Sequence, residues 1–232
     1  MYREDEVRIV NTTDKALAAF FKKIYLWMSI GIGITGFTAY LVSTNVLLKG
    51  LLFSNRFVFY GLVFVQLGVV IFLSARIMKM SFGSALFWFF FYSFLTGLTF
   101  SWVFLAYTGQ SIATVFFITA GTFAAMSIYG FTTGQDLSKY GNILFMGLIG
   151  IVIASLVNFF LKSDMLYWII SVVGVVVFVG LVAYDTNKLK RFFYQASDEG
   201  VLKQVSVFGA LQLYLDFINL FLMLLRIFGR RK

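Results

Sequence analysis

The sequence predicts an all-α fold, a polytopic membrane protein built as a seven-transmembrane-helix bundle. Of 232 residues, 60% are hydrophobic and 20% aromatic, while only 12% are charged. Soluble domains are about 45–50% apolar and about 25% charged. The few charges also stand far apart and leave uncharged stretches of the roughly 20 residues that cross a bilayer. Together these observations exclude a water-soluble globular domain.

The uncharged stretches define the helices in order. Five stretches contain 19 to 25 residues, if Asp216 is set aside. A sixth, between Lys79 and Asp136, contains 56 residues, about 84 Å of helix at about 1.5 Å per residue. It therefore predicts two helices, separated near residues 107–111. The seven predicted helices are 24–44, 57–78, 82–106, 112–133, 141–161, 165–187 and 205–228.

The remaining residues are interpreted as tails and loops. Residues 1–23 form a cytoplasmic N-terminal tail, either a simple tail or a short amphipathic helix. They lack the basic start and cleavage site of a signal peptide, so we expect the first helix to be retained. Residues 24–228 form the transmembrane domain and residues 229–232 a basic C-terminal tail.

The net charge of +9 is interpreted as a topology signal, and no nucleic-acid partner is expected. With the N-terminus inside, the cytoplasmic segments carry 12 of the 19 Lys and Arg residues and the opposite side carries 7. Four of those seven lie at the C-terminus, against the positive-inside rule. Either the tail lies outside or the last helix does not fully span; we favour seven spans with the N-terminus inside.

The absent residue types exclude much chemistry. The chain has no Cys, His or Pro, which excludes disulfides, thiolate zinc sites and imidazole-based catalysis. An intramembrane aspartyl protease is disfavoured, since Leu213-Tyr-Leu-Asp216 differs from its Gly-x-Gly-Asp motif. A retinal protein needs a Lys in the last helix, and none lies between Lys203 and Arg226. We therefore predict a protein that is not an enzyme and has no cofactor.

Two carboxylates lie inside predicted helices, Asp185 near the cytoplasmic end of the sixth and Asp216 in the middle of the seventh. A charged Asp at a helix centre costs about 2.5–3.5 kcal/mol, so such residues indicate function. Gln212 and Asn219 share the helix face of Asp216 and form a polar stripe. The alternatives are a structural helix–helix hydrogen bond for Asp216 and a solvated interfacial carboxylate for Asp185.

These oxygen donors favour Ca²⁺ or protons as ligands. Two adjacent carboxylates in a low-dielectric site share a proton, and a cation can replace it. The pair is therefore predicted to be a pH-sensitive cation site, with Ca²⁺ as the candidate metal. Arg76, at the end of the second helix, is predicted at a depth similar to Asp185, so an ion pair is plausible; the alternative is a flank that snorkels to water.

Three segments resemble the Bax inhibitor-1 (transmembrane Bax inhibitor motif) family, and the likeness extends over about residues 17–226. They are Gly180-Leu-Val-Ala-Tyr-Asp185-Thr-Asn, Ala210-Leu-Gln-Leu-Tyr-Leu-Asp216-Phe-Ile-Asn-Leu-Phe-Leu, and Gly134-Gln-Asp136-Leu-Ser-Lys-Tyr-Gly141. The compact chain is similar to bacterial members. The resemblance implies a bundle around a central helix and a calcium leak path. It also implies a pH-sensing aspartate pair, Asp185 and Asp216, and a latch, Arg76.

The resemblance therefore implies a pH-sensitive calcium leak channel or transporter in a bacterial inner membrane. Its partners would be the lipid bilayer, Ca²⁺ and protons. The alternative is a regulatory membrane protein that binds and modulates a membrane protease or another membrane partner. In either case we expect the N-terminus in the cytoplasm.

Overall fold

A computed structural model describes residues 2–196 and 198–232, with side chains for 14–196, 198 and 200–232. Seven helices in it are long and apolar enough to cross a membrane, which confirms the predicted all-α membrane fold. Among these residues the extended pairing is confined to one isolated bridge, between Tyr107 and Arg231. The helices are α1 (Tyr2–Thr44), α2 (Val46–Phe53), α3 (Arg56–Arg76), α4 (Phe82–Ala106), α5 (Gly109–Thr132), α6 (Ser138–Leu161), α7 (Asp164–Gln195) and α8 (Glu199–Phe228).

Most of the helices that follow a turn begin with a side-chain N-cap. The side-chain oxygens of five residues accept hydrogen bonds from backbone N–H groups in the first turn, which stabilises a helix start. These capping residues are Asn45, Asn55, Ser81, Thr108 and Ser163. Because the chain has no proline, no helix interior loses a backbone hydrogen bond to that residue.

In the N-terminal segment α1 runs without a break from Tyr2 to Thr44, so it includes residues that were expected to form either a simple tail or a short helix. Leu17, Phe20, Phe21 and Ile24 are buried in the core. Their spacing of three and four residues places them on one face of the helix. Residues 14–23 thus belong to the helical bundle, while the side chains that would make residues 2–13 amphipathic lie outside the described part.

Between the first two spans, α2 occupies residues expected to form a loop. Its sequence, Val-Leu-Leu-Lys-Gly-Leu-Leu-Phe, contains no buried residue. Leu47 and Leu51 are each more than two-thirds exposed. A short apolar helix beside two membrane spans fits the boundary between headgroups and acyl chains. The sequence search for spans missed it because eight residues are too few to cross the bilayer.

The connection between the last two spans is also shorter than predicted. α7 continues to Gln195 and α8 begins at Glu199, so residues 188–204 are almost entirely helical. The predicted helices, 165–187 and 205–228, leave Lys188, Lys190 and Lys203 in a loop. These residues instead lie in the helical turns that continue beyond the apolar stretches. A helix can extend past the edge of the bilayer, so a charged residue does not mark its end.

α8 is the central helix of the bundle and the most enclosed of the seven spans. It contacts α1, α4, α5 and α7, whereas α3 and α6 are peripheral. The small residues Ser93, Gly97 and Ser101 recur every four residues along one face of α4. The two serines are fully buried, and a Cβ on Gly97 would lie 2.8 Å from the backbone oxygen of Thr35, so α1 and α4 cross in close contact there.

The C-terminal tail lies against the turn between α4 and α5. The backbone N–H of Thr108 donates to the carbonyl of Arg230, and that of Lys232 donates to Ala106. At the opposite end of the bundle, Gln204 of α8 donates to the carbonyl of Met80, which precedes α4. α8 therefore extends from one end of the bundle to the other, as predicted for a full span.

Candidate functional site

α7 and α8 bring Asp185 and Asp216 together inside the bundle. Both residues are buried, with exposed fractions of 6% and 5%. The two helices pack against each other. On its other faces α8 buries apolar residues, among them Leu213, Phe217 and Leu220.

Asp185 and Asp216 lie on the packed faces of α7 and α8, and Gln212, one turn before Asp216, reaches Asp185. The side-chain amide of Gln212 donates to Asp185 Oδ1 at 3.4 Å. Asp216 Oδ2 and Gln212 Oε1 are buried and have no hydrogen-bond partner among the described residues. A buried oxygen without a donor is costly, and a proton or a cation bound by Asp216 would remove that cost for Oδ2.

Lys188 adds a cation that the sequence analysis did not assign to the site. It follows Asp185 by three residues, about one helical turn, which places it on the same side of α7. Its ammonium lies over the rings of Tyr184 and Phe192, 5.9 and 5.7 Å from their centroids. The spacing of three residues between Asp185 and Lys188 could have predicted this proximity from the sequence, because residues three apart lie on the same face of a helix.

The structure does not bring the other predicted residues to the pair. Asn219 donates to the carbonyl of Leu215 in its own helix at 2.8 Å, so only Gln212 of the polar stripe contacts a carboxylate. Arg76 ends α3 with an exposed side chain. Among the described residues the one salt bridge joins Arg191 and Asp136, so Arg76 and Asp185 are unpaired with each other in this conformation.

A row of hydroxyl groups runs from a lateral cleft to α7, at the residue after Asp185. The cleft, about 520 Å³ in volume, lies between α1, α5 and α8 and is lined by Tyr25 and Ser127 among apolar residues. Tyr25 and Ser127 share a hydrogen bond, and Ser127 is 3.0 Å from the hydroxyl of Thr186. Thr186 is the neighbour of Asp185 in α7. Sequence reasoning missed this row because its members are far apart in the chain.

Asn187, two residues after Asp185, forms hydrogen bonds that hold the loop between α5 and α6 against α7. The Asn187 amide donates to the carbonyls of Gly130 and Gln135, each at 3.3 Å. Its carbonyl accepts from the backbone N–H of Leu137. Gly141 faces the Tyr184 ring, where a Cβ would come within 2.8 Å of the hydroxyl oxygen. The Gly134–Gly141 motif therefore holds α7 in place beside the aspartate pair.

The fold and site define a polytopic α-helical membrane protein with two buried carboxyl groups on adjacent spans. The family described as "Inhibitor of apoptosis-promoting Bax1" matches residues 17–232. The chain belongs to this family, the Bax inhibitor-1 family, as its motifs indicated.

Three bacterial relatives match along nearly their whole length. "Inner membrane protein YbhL" of Escherichia coli is 53% identical over 93% of both chains. An uncharacterized protein of Borreliella burgdorferi is 46% identical over 92% of both chains. An uncharacterized membrane protein of Streptococcus pyogenes is 39% identical over 96% of this chain and 97% of the relative. The chain is thus similar to bacterial membrane proteins of its own size.

Proposed function

We propose that this protein is a pH-sensitive calcium leak of a bacterial inner membrane, with Asp185 and Asp216 as its ion and proton site. The proposal is supported by one observation, the burial of two carboxyl groups on adjacent spanning helices that pack against each other. Such a pair carries a large desolvation cost unless a proton or a cation lies between the oxygens. A site that exchanges these two ligands responds to both pH and calcium.

The small number of oxygen ligands at the pair favours transient binding of an ion over permanent binding. The available oxygens belong to two carboxylates and to the carbonyl of Gln212. Resident Ca²⁺ sites use six to eight oxygens, often from several acidic residues. The described part of the chain contains no group of three or more acidic side chains that could hold a metal. Weak binding of this kind allows an ion to enter and to leave.

Gating is proposed to depend on which cation occupies the pair. A shared proton excludes Ca²⁺, and loss of that proton leaves a negative site that Ca²⁺ or Arg76 can neutralise. Arg76 would act as a latch on Asp185 in a second conformation. That conformation requires a movement of α3, which is one of the two least enclosed spans. The lateral cleft and its hydroxyl row offer a polar approach to the pair.

The test is calcium flux into liposomes that contain the purified protein and a calcium dye, measured over a range of pH. The wild type is expected to raise the flux above that of empty liposomes by an amount that changes with pH. Asp185→Asn and Asp216→Asn should each remove most of this pH dependence, because the amide cannot lose a proton. Asp198→Asn, at an exposed turn residue, is the matched control and should behave like the wild type.

Two results would contradict the proposal. A flux equal to that of empty liposomes at every pH would exclude a calcium leak. It would favour the regulatory alternative, in which the protein binds a membrane protease or another membrane partner. If the leak is present but unchanged in both aspartate variants, the assignment of the site is wrong.

A further inference from the structure

A basic cleft lies at the end of the bundle that carries the C-terminus, far along α8 from Asp216. Its volume is about 450 Å³, and it is formed by the turn between α6 and α7, the end of α8 and the tail. Lys162 in this turn adopts a left-handed backbone conformation with a φ of 51°. The Asn158 side chain accepts from the backbone N–H of Ser163, which fixes the turn and with it the shape of the cleft.

Three cations and one acid line this cleft, namely Lys162, Arg226, Arg231 and Asp164. The guanidinium carbons of Arg226 and Arg231 lie 5.1 and 5.6 Å from the centroid of the same Tyr167 ring. In the part of the chain described here, neither arginine forms a salt bridge with a carboxylate. The two guanidinium groups near the Tyr167 ring repel each other because both are positively charged. An anion bound to both would offset that repulsion.

The depth and the other walls of the cleft fit the membrane interface. α6 ends at Leu161 and α7 begins at Asp164, so the cleft lies where the chain turns at the bilayer surface. Phe159 and Ile170 give it an apolar wall. Trp168, beside Tyr167 in sequence, is more than half exposed, as is typical of side chains in the interfacial belt.

We propose that this cleft binds the phosphate headgroup of an anionic phospholipid, with Arg226 and Arg231 on the phosphate and an acyl chain along Phe159. Paired guanidinium groups suit phosphate oxygens, since each can donate two hydrogen bonds. The local charge of three cations against one acid favours a lipid with a net negative charge over a zwitterionic one. The apolar wall favours a lipid over free inorganic phosphate, which shares the same headgroup chemistry.

The test is native mass spectrometry of the detergent-purified protein with phosphatidylglycerol or phosphatidylcholine of the same acyl chains. The wild type is expected to retain several-fold more phosphatidylglycerol than phosphatidylcholine. In Arg226→Gln with Arg231→Gln, phosphatidylglycerol retention should fall by about tenfold or more, since each basic residue contributes roughly fivefold near an anionic lipid. Arg56→Gln is the matched control, because Arg56 also lies over an aromatic ring, Phe57, but outside the cleft.

A second variant keeps the test independent of folding defects. Asp164→Asn removes the one acid of the cleft and should increase phosphatidylglycerol retention. The proposal is overturned if both lipids are retained equally, if the double variant retains phosphatidylglycerol like the wild type, or if Asp164→Asn lowers its retention. A separate titration with inorganic phosphate, followed by thermal unfolding, distinguishes the source: stabilisation by phosphate but not by phosphatidylglycerol would contradict a lipid site.

Discussion

At the scale of single residues, Tyr214 sets the rotation of the central helix. It is fully buried, and its hydroxyl lies 2.6 Å from Thr35 Oγ1. Thr35 donates its own proton to the carbonyl of Ser93, so it accepts from Tyr214. Two residues turn an α-helix by about 200°. A Tyr214 side chain held between α1 and α4 therefore directs Asp216 to the opposite side, toward α7.

Tyr214→Phe is expected to lower the free energy of unfolding by about 1 kcal/mol, because one buried hydrogen bond is lost while the ring remains packed. Thr35 keeps its bond to Ser93, which limits the loss. Thermal unfolding of the purified protein in detergent measures the change. Tyr60→Phe, at a tyrosine that is 45% exposed, is the control and should leave stability unchanged. Equal melting temperatures for wild type and Tyr214→Phe would contradict this role.

At the scale of helices, the position of α7 depends on a close crossing with α5 at Gly130. A Cβ on Gly130 would lie 2.3 Å from the carbonyl oxygen of Ala183, which is two residues before Asp185. The Gly130 carbonyl also accepts from the Asn187 amide at 3.3 Å. Any side chain at residue 130 must push α5 away from the helix that carries the first aspartate.

Gly130→Ala is therefore expected to destabilise the protein by about 1–3 kcal/mol, the usual cost of overpacking. Gly121→Ala is the matched control in the same helix, since a Cβ there would meet nothing within 4 Å. That variant should be neutral or slightly more stable because Ala favours helix more than Gly does. Unfolding in detergent compares the two, and equal stability for both variants would show that α5 and α7 do not depend on this contact.

The loop between α5 and α6 is held to α7 by a clasp of Asp136, Ser138 and Arg191. The backbone N–H of Ser138 donates to Asp136 Oδ1 at 2.8 Å, and the Arg191 guanidinium bonds to Asp136 and Ser138. The Ser138 hydrogen bonds and the Arg191 charge lower the pKa of Asp136 below its ordinary value of 3.8. A carboxylate with a lowered pKa contributes stability above its unfolded pKa, and this contribution is lost as the pH falls through the folded pKa.

Asp136→Asn is thus expected to be less stable than the wild type at neutral pH, and the difference should shrink as the pH falls toward about 3. The effect will be small because the Asp136 side chain is well exposed to solvent. Unfolding of both proteins at matched pH values gives the difference directly. Asp198→Asn serves as the control for general charge effects. A difference that grows on acidification would have the wrong sign for this clasp.

At the scale of the whole molecule, the spans could be predicted from the sequence because a charge in the hydrocarbon core is costly. Long stretches without charge therefore mark the residues that cross the bilayer. The same reasoning singled out Asp185 and Asp216, the carboxylates within the apolar stretches. It located the apolar stretches but not the helix ends, so it missed α2 and the extension of α7 to Gln195.

Contacts between distant parts of the chain could not be predicted in this way. The bonds from Asn187 to the loop after α5 join residues about 50 positions apart. The row of Tyr25, Ser127 and Thr186 joins three helices. Such contacts depend on how the helices pack and rotate, and the spacing of charges carries no information on either. Lys188 differs, because its distance from Asp185 is fixed by helix geometry alone.

The structure also shows at which end of the bundle the basic C-terminal tail lies, the tail whose charge conflicts with the positive-inside rule. Hydrogen bonds hold Arg230 and Lys232 to the turn between α4 and α5, so the tail lies at the end opposite to Lys190 and Met80. Because 12 of the 19 Lys and Arg residues belong to the other end, that end is expected in the cytoplasm and the tail outside.

Single cysteines test this orientation cleanly, since the chain has none of its own. In intact cells with a permeabilised outer envelope, a membrane-impermeant maleimide should label Lys232→Cys but not Lys139→Cys. Lys139 lies in the first turn of α6 with an exposed side chain, so it should react only after the inner membrane is broken. The reverse pattern would place the N-terminus outside. Labelling of both cysteines in intact cells would mean that the protein inserts in two orientations, and the weak contrast of 12 cations to 7 would then be its cause.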